Sequence, residues 1–325
     1  MSVKPSAITG AGTENNPYVI HNYDELKWCC EDADAVPEGQ GKPDYVYVKL
    51  NNDIDCSTYG MSFRWIITCD HAIDLNMNTK TIENFYIHRT GYLFSIPYTV
   101  RKLSVHDGKI LNVYGDWIST SVSVMNITAN TDDSAITFKN ISMSIDATNF
   151  SNTQSTLCTG YPNRLTMTNC TIDFKGTTNT SVALVSSAKL YTCDVHVDIV
   201  TTTYYAMLLN GSSSYIGYAL NCRFMGRLQP SAITSTSYCV NYCQVRNCVF
   251  DVEVLPPATS TANTSFVYGG GSAAYNYGIY NADKVPNYNF NGTNYIACTT
   301  ADMDMRVNPN ADLVLQEKGF DVIKG

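Results

Sequence analysis

Between Ile136 and Val254 the chain repeats one short alternating phrase five times: ITFKNISMSIDA (136–147), LTMTNCTIDFKG (165–176), AKLYTCDVHVDI (188–199), YALNCRFMGRL (218–228) and VRNCVFDVEV (245–254). Each phrase is an apolar strand, a polar pivot, then a second alternating strand. The pivots are Asn140, Asn169, Thr192, Asn221 and Asn247, followed by Ile141, Cys170, Cys193, Cys222 and Cys248. These following residues lie 29, 23, 29 and 26 positions apart, within the range of periods that marks a solenoid. Counted from them, even positions are apolar or small in all five copies: Ile141, Met143, Ile145; Cys170, Ile172, Phe174; Cys193, Val195, Val197; Cys222, Phe224, Gly226; Cys248, Phe250, Val252. Alternation at period two is the signature of a half-buried strand. Before the pivot, Phe138, Met167, Leu190 and Val245 keep the inward parity.

Asn is among the few residues other than Gly that tolerate a left-handed backbone, and one such residue between two strands turns the chain sharply. Each phrase therefore predicts strand, bend, strand, and five copies stack into parallel sheets about 4.8 Å apart. The pattern resembles the right-handed parallel β-helix of pectate-lyase-like proteins, in which Asn at the bend forms a ladder. The expected fold is all-β, a right-handed parallel β-helix with an N-terminal capping helix. A Thr/Asn-rich β-sandwich is the alternative, but it gives no reason to hold one pivot type at a repeating interval.

The odd positions add a charge pattern. Asp146, Lys175, Asp198, Arg227 and Glu253 share the fifth position after the zero residue, and Asp194 falls in register with Arg223. Stacked in register they form an outer column of alternating sign, and opposite charges facing across strands stabilise by about 0.2–1 kcal/mol each.

Upstream, Asn22 with Glu25 three residues on is a capping box, opening a helix expected to run to about Ala33 and to cover the first rung, since solenoid ends need caps. Strand YVYVKLNNDIDC follows. The run from PYVI through the helix to NDID resembles the N-terminal module of bacterial and phage β-helix proteins. From Trp65 to Thr131 short apolar runs predict irregular early rungs, and Asn84-Phe85 echoes the pivot. Downstream, 256–265 is a loop, and Phe266–Cys298 is rich in Tyr, including Tyr268, Tyr275, Tyr277, Tyr280, Tyr288 and Tyr295. Tyr is rigid and amphipathic and is enriched at interfaces; packing of the rings between loops explains it equally well. A short helix at 310–317 and a final strand are expected in the tail, whose Leu-x-x-x-Gly-Phe ending resembles the closing segment of the same phage and surface proteins. The division is thus 1–60 lead-in and capping module, 61–255 parallel β-helix, and 256–325 Tyr-rich closing rungs.

Composition narrows the partners. Charged residues are 15%, against a usual quarter, and Ser, Thr, Asn and Tyr take their place. The net charge is −8; the first 60 residues hold ten acids against four bases and the remainder 19 against 17. No basic stripe favours nucleic acid. Neither an apolar leader nor a run of the ~20 apolar residues of a membrane span is visible. Of twelve cysteines, four occupy matching inward positions, where Cys serves as a small buried hydrophobe. Cys239-x-x-x-Cys243 is half a zinc site without a second ligand pair at suitable spacing, so no metal is expected. Free thiols without a visible leader point to production in a reducing cytoplasm. No cofactor is expected.

β-Helices also carry lyases, polygalacturonases and depolymerases, and glycosidase chemistry wants two carboxylates about 5–9.5 Å apart. The catalytic candidates are Asp194, His196 and Asp198, on one outward face, with Asp173 beside His196. Their predicted cationic neighbours suit structure better than acid catalysis. His71, His88 and His106 lie on no recognisable motif, and no phosphate loop, G-x-S-x-G or H-E-x-x-H occurs. The first expectation is a non-enzymatic structural or binding protein resembling head fibres, capsid decorations and tail fibres or spikes of tailed phages. The resemblance implies a homotrimer, made in the host cytoplasm and carried on the virion, with other virion proteins and a bacterial surface glycan as partners. The alternatives are a polysaccharide depolymerase and a bacterial surface adhesin, the last disfavoured because no anchor is visible.

Overall fold

A computed structural model of the chain describes residues 4–31, 45–59, 67–69, 71–89, 92–96, 102–117, 121–127, 135–148, 154–160, 164–178, 182–186, 188–201, 206–210, 217–230, 238–241, 243–254, 265–268, 277–284, 289–290 and 294–303. The fold is all-β, a solenoid of parallel strands. The chain divides into two compact units, Met1–Asp146 with Leu157–Cys170, and Ala147–Thr156 with Thr171–Gly325.

In the first unit, strands Tyr18–Ile20, Val46–Leu50, Ile73–Asn76, Lys102–Trp117, Ala135–Ala147 and Leu165–Thr168 stack in parallel. Their register builds one buried column, Tyr18, Val48, Leu75, Val105, Phe138 and Met167. Alternate residues of each strand take the opposite face, because the pleat has period two. Ile54, Ile82 and Ile110 form a second buried column after the first bend. A smaller sheet pairs Ile67–Thr68, Phe94–Ile96 and Ser121–Ile127.

The helix Tyr23–Glu31 begins as its sequence dictates. The Glu25 amide donates to Asn22 Oδ1 at 3.0 Å, and the His21 amide donates to Glu25 Oε2 at 2.8 Å, which satisfies donors that a helix start leaves unpaired. Leu26, Cys29 and Cys30 are buried. Trp28 meets Tyr18 edge-on at 5.9 Å, Tyr23 lies 6.2 Å from Phe85, and His71 Nε2 bonds the Cys29 carbonyl at 2.6 Å. The helix is thereby fastened to the first turns of the coil; the described residues of the helix run to Glu31, and the expected end near Ala33 lies outside them.

In the second unit, Thr171–Thr178, Asp194–Thr201, Arg223–Pro230, Cys243–Val254, Tyr277–Asn281 and Asn294–Cys298 stack in parallel. Ile172, Val195, Phe224 and Phe250 form its buried column, with the last two rings stacked at 4.9 Å and 16°. A separate sheet runs through Val182–Ser186, Ala206–Asn210, Tyr238–Asn241, Ser265–Tyr268 and Asn289–Phe290. Gly226 departs from the inward row: it is half-buried with φ of 112° and sits opposite Val197. The loops at 34–44 and 256–264 and the expected helix at 310–317 lie outside the described residues.

Candidate functional site

The bends hold the polar chemistry. Asn140, Asn169, Thr192 and Asn221 have φ of 54°, 53°, 53° and 53°. Asn247 lies within Cys243–Val254, where the ladder shifts register between Arg246 and Cys248; its side chain is outside the described residues. In the first unit Asn169 Nδ2 donates to Asn140 Oδ1 at 2.8 Å, and Asn140 Nδ2 donates to Asp107 Oδ1 at 2.6 Å. A second ladder runs at another corner, Asn112 to Asn84 at 3.2 Å and Asn84 to Asp55 at 2.9 Å. Both ladders point their N–H groups toward the N-terminal rung, and both end on a carboxylate. A carboxylate accepts but does not donate, so it closes the series with the strongest acceptor available. The Asn84 bond holds the Asp55 carboxyl below its usual range, and the Asn140 bond, then His106, does the same for Asp107.

His106 is the feature that sequence reading passed over. Its Nε2 lies 3.0 Å from Asp74 Oδ1 and its Nδ1 2.7 Å from Asp107 Oδ2. Two carboxylate acceptors on two ring nitrogens demand two N–H donors, which only the imidazolium supplies. The Asp74 bond pushes the His106 pKa up, burial opposes it, and Asp107 adds to the rise. Lys139 stands beside His106 in the register on one side and Asn76 on the other. The clamp joins two turns of the coil through a positive charge between two negative ones.

The sulfur positions serve the same bends. Cys170 in the first unit donates its S–H to the Thr168 carbonyl at 3.4 Å. In the second unit Cys193, Cys222 and Cys248 donate to Tyr191, Leu220 and Arg246, each at 3.3 Å. The acceptor is always the residue before the pivot. A thiol is thus apolar enough to bury and still a donor to a carbonyl at the turn. The Cys222 amide also donates to Cys248 Sγ at 3.4 Å. Burial, then its bonds to Cys193 and Cys248, raises the Cys222 pKa well above that of a free thiol. Ten cysteines among the described residues are buried.

Asp194, His196 and Asp198 stand on Asp194–Thr201, in register with Arg223, Met225 and Arg227 on one side and with Thr171, Asp173 and Lys175 on the other. Arg227 grips one oxygen of Asp198 with Nε at 2.9 Å and Nη2 at 2.7 Å, and it also faces Glu253 in the register. Arg223 approaches Asp194 at 3.9 Å. His196 Nδ1 lies 3.3 Å from Asp173 Oδ1, with both side chains about half exposed at 53% and 52%. Asp194 and Asp198 are four residues apart on one strand, about 13 Å at about 3.3 Å per residue, too far for the carboxylate pair of a glycosidase. The structure therefore groups Asp194 and Asp198 as ion-paired rungs of an outer wall, with His196 beside Asp173 on the same face. A further carboxylate, Asp251, accepts from buried Asn281 at 2.6 Å and pairs with Lys284 at 2.8 Å.

Of the six tyrosines, Tyr275 and Tyr288 lie outside the described residues. Tyr268, Tyr277 and Tyr295 are placed by backbone alone, on Ser265–Tyr268, Tyr277–Asn281 and Asn294–Cys298. Tyr280 is half-buried, and burial, then Cys298, raises its hydroxyl pKa. Among the described residues no group of three His, Cys, Asp or Glu is placed to hold a metal ion, and no helix is long and apolar enough to cross a membrane.

No family model matches the sequence, and no curated protein matches it. A solved structure, a "putative immunoglobulin A1 protease from Bacteroides ovatus", is similar over 93% of this chain and 90% of its own, with a TM-score of 0.54 at 12% identity. That likeness carries the solenoid fold and transfers no activity.

Proposed function

We propose that the chain is a non-enzymatic structural or binding protein, a β-helix scaffold displayed on a phage particle as a head fibre, capsid decoration or tail fibre. The observation that carries the non-enzymatic part is how the carboxylates are used. Asp74, Asp107, Asp198 and Asp251 each bond a neighbour from another turn at 3.0 Å or less. Carboxylates whose oxygens already accept bonds that fasten successive turns are occupied by structural partners and are not presented to a substrate, as a general acid must be. Placement on a virion is supported by the resemblance of the capping module and the closing segment to phage β-helix proteins. That placement brings with it assembly as a homotrimer, production in the host cytoplasm, and contacts with other virion proteins and a bacterial surface glycan.

The second reading is a polysaccharide depolymerase. One arrangement favours it: Asp173 and His196 pair on the open wall, with Asp173 diagonal to Asp194 and Asp198 at about 7–8 Å between backbones. The deciding experiment incubates the protein with capsular and pectic polymers and assays new reducing ends and unsaturated products. The scaffold reading expects none. Activity lost in Asp173→Asn or Asp198→Ala would replace it with the depolymerase. Mass spectrometry of purified virions tests the placement separately, and a chain absent from the particle would end that part of the proposal.

A further inference from the structure

In the first unit the capping helix and the early turns of the coil meet through sulfur. Cys30 stands on the helix Tyr23–Glu31, and Cys69 follows the short strand Ile67–Thr68, on which that helix packs. Two bonds hold the segments in place. His71 Nε2 donates to the Cys29 carbonyl at 2.6 Å, which sets Cys29 and Cys30 against Cys69 and His71. The Cys69 amide donates to the Ser95 carbonyl at 3.0 Å, which ties Cys69 to the coil. At this junction the thiols of Cys30 and Cys69 are within hydrogen-bonding distance of each other, and the two residues are 1% and 0% exposed.

The stacked thiols of the second unit are placed differently. Cys193, Cys222 and Cys248 each give the S–H to the carbonyl before the pivot. They also hold matching places beside parallel strands, which run about 4.8 Å apart, whereas a disulfide wants its Cβ atoms about 3.8 Å apart. Bridging them would pull the ladder in against its own spacing. Cys30 and Cys69 share no ladder. One is on a helix and the other lies beyond a strand end, and a helix can turn on the face it covers without breaking strand bonds. Closing from thiol contact to the ~2 Å of an S–S bond asks for a movement of about 2 Å.

We propose that Cys30 and Cys69 are a redox-active pair whose oxidation to a disulfide fixes the capping helix to the coil. The oxidant is a small-molecule disulfide such as oxidised glutathione. The thiolate of one cysteine attacks a glutathione sulfur, the glutathione S–S bond breaks, and one glutathione thiolate leaves. The second cysteine then attacks the first one's sulfur in the mixed disulfide, and the other glutathione leaves. The protein gives up two electrons and two protons; the glutathione disulfide takes the electrons and the two departing thiolates take the protons. The Cys69 contact, then burial, holds the Cys30 thiol well above the range of a free thiol, so reaction waits on local lifting of the helix. The bridge joins positions 39 apart in the chain and so constrains the unfolded state. In the folded state it resists fraying at an end of the stack, which a solenoid must protect. The pair is a property of the fold and goes beyond the scaffold reading.

Reduced protein is incubated with oxidised glutathione at about pH 8, where thiols exchange, then acid-quenched, alkylated and peptide-mapped. One intramolecular bridge, Cys30–Cys69, should form without denaturant and be reversed by dithiothreitol. The bridged protein should gain several degrees in thermal midpoint. Its helix amides from Leu26 to Glu31 should exchange at least about tenfold more slowly, with those of Thr171–Thr178 in the second unit unchanged. Cys69→Ala should remove both effects, and the wild-type map decides the matter even where that variant fails to fold. Glutathione adducts alone, either cysteine bridged to a different partner, a bridge that forms only in denaturant, unchanged helix exchange in the bridged protein, or a folded Cys69→Ala protein that still gains protection would overturn the proposal.

Discussion

Asn140 reaches back one turn of the coil and donates to Asp107 at 2.6 Å, and the same Asp107 bonds His106 through its other oxygen at 2.7 Å. One carboxylate therefore ends an amide ladder and holds one side of a histidine clamp. Asp107→Asn isolates the charge, because Asn tolerates the left-handed φ of 60° found there. The variant should lose about 1 kcal/mol of stability, the scale of a partly exposed charge-assisted contact, read from urea unfolding. An unchanged midpoint would mean that the charge contributes nothing to the ladder.

The clamp makes stability depend on pH from both sides. The Asp107 pKa is lowered on folding, so its contribution is full above the unfolded value of about 3.9 and is lost as pH falls through the folded value. The His106 pKa is raised, so its contribution is full below about 6.5 and is lost as pH rises through the folded value. Both are present together between about pH 4 and 6.5. Thermal midpoints across pH should show this plateau, and His106→Gln should flatten its alkaline edge. An NMR midpoint for His106 at or below that of a free imidazole would contradict the clamp.

Thr192 occupies a bend with φ of 53°, a region that strains a β-branched residue. Thr192→Asn should stabilise by about 1 kcal/mol. Asn169→Val makes the opposite exchange and removes the bond to Asn140, so it should cost about 2 kcal/mol. Equilibrium unfolding of the pair tests the sign of both changes.

Gly226 has φ of 112°, and a Cβ there would lie 1.9 Å from the Val197 carbonyl oxygen. Strain and collision both act on backbone that the stack cannot move. Gly226→Ala should cost roughly 3 kcal/mol, visible as a lowered thermal midpoint. Full retention of stability would show that this strand pairing is not as described.

Burial pushes the thiols of Cys29, Cys56 and Cys243 up to about 12. At pH 8 about one in ten thousand of such thiols is ionised, and the thiolate is the reactive form. Mapped alkylation of the native protein at pH 8 should leave these three, and the column of Cys193, Cys222 and Cys248, unmodified until denaturant is added. Rapid native labelling of any of them would place it on the surface.

The period-two parity around each pivot was legible because a pleated strand allows only two faces, and a left-handed bend between strands accepts few residue types. Hence Phe138, Met167, Cys170 and Ile172 could be assigned inward, and Asn140 and Asn169 assigned to bends, from residue order alone. The capping box at Asn22 and Glu25 was equally local. The His106 clamp was not legible. Its partner Asp74 is 32 residues away, and turns of unequal length leave open which residue faces which. The ladder ends at Asp55 and Asp107 were missed for the same reason, since neither belongs to the repeated phrase. The reading of Asp194, His196 and Asp198 as a cluster was correct about their shared face but silent on how closely Arg227 holds Asp198. The sequence by itself determined which side of each strand is wet and where the chain bends, because those properties belong to neighbouring residues. Only the tertiary structure decided that His106 sits between Asp74 and Asp107 and that the amide ladders end on Asp55 and Asp107, because those pairings depend on the length of every intervening turn.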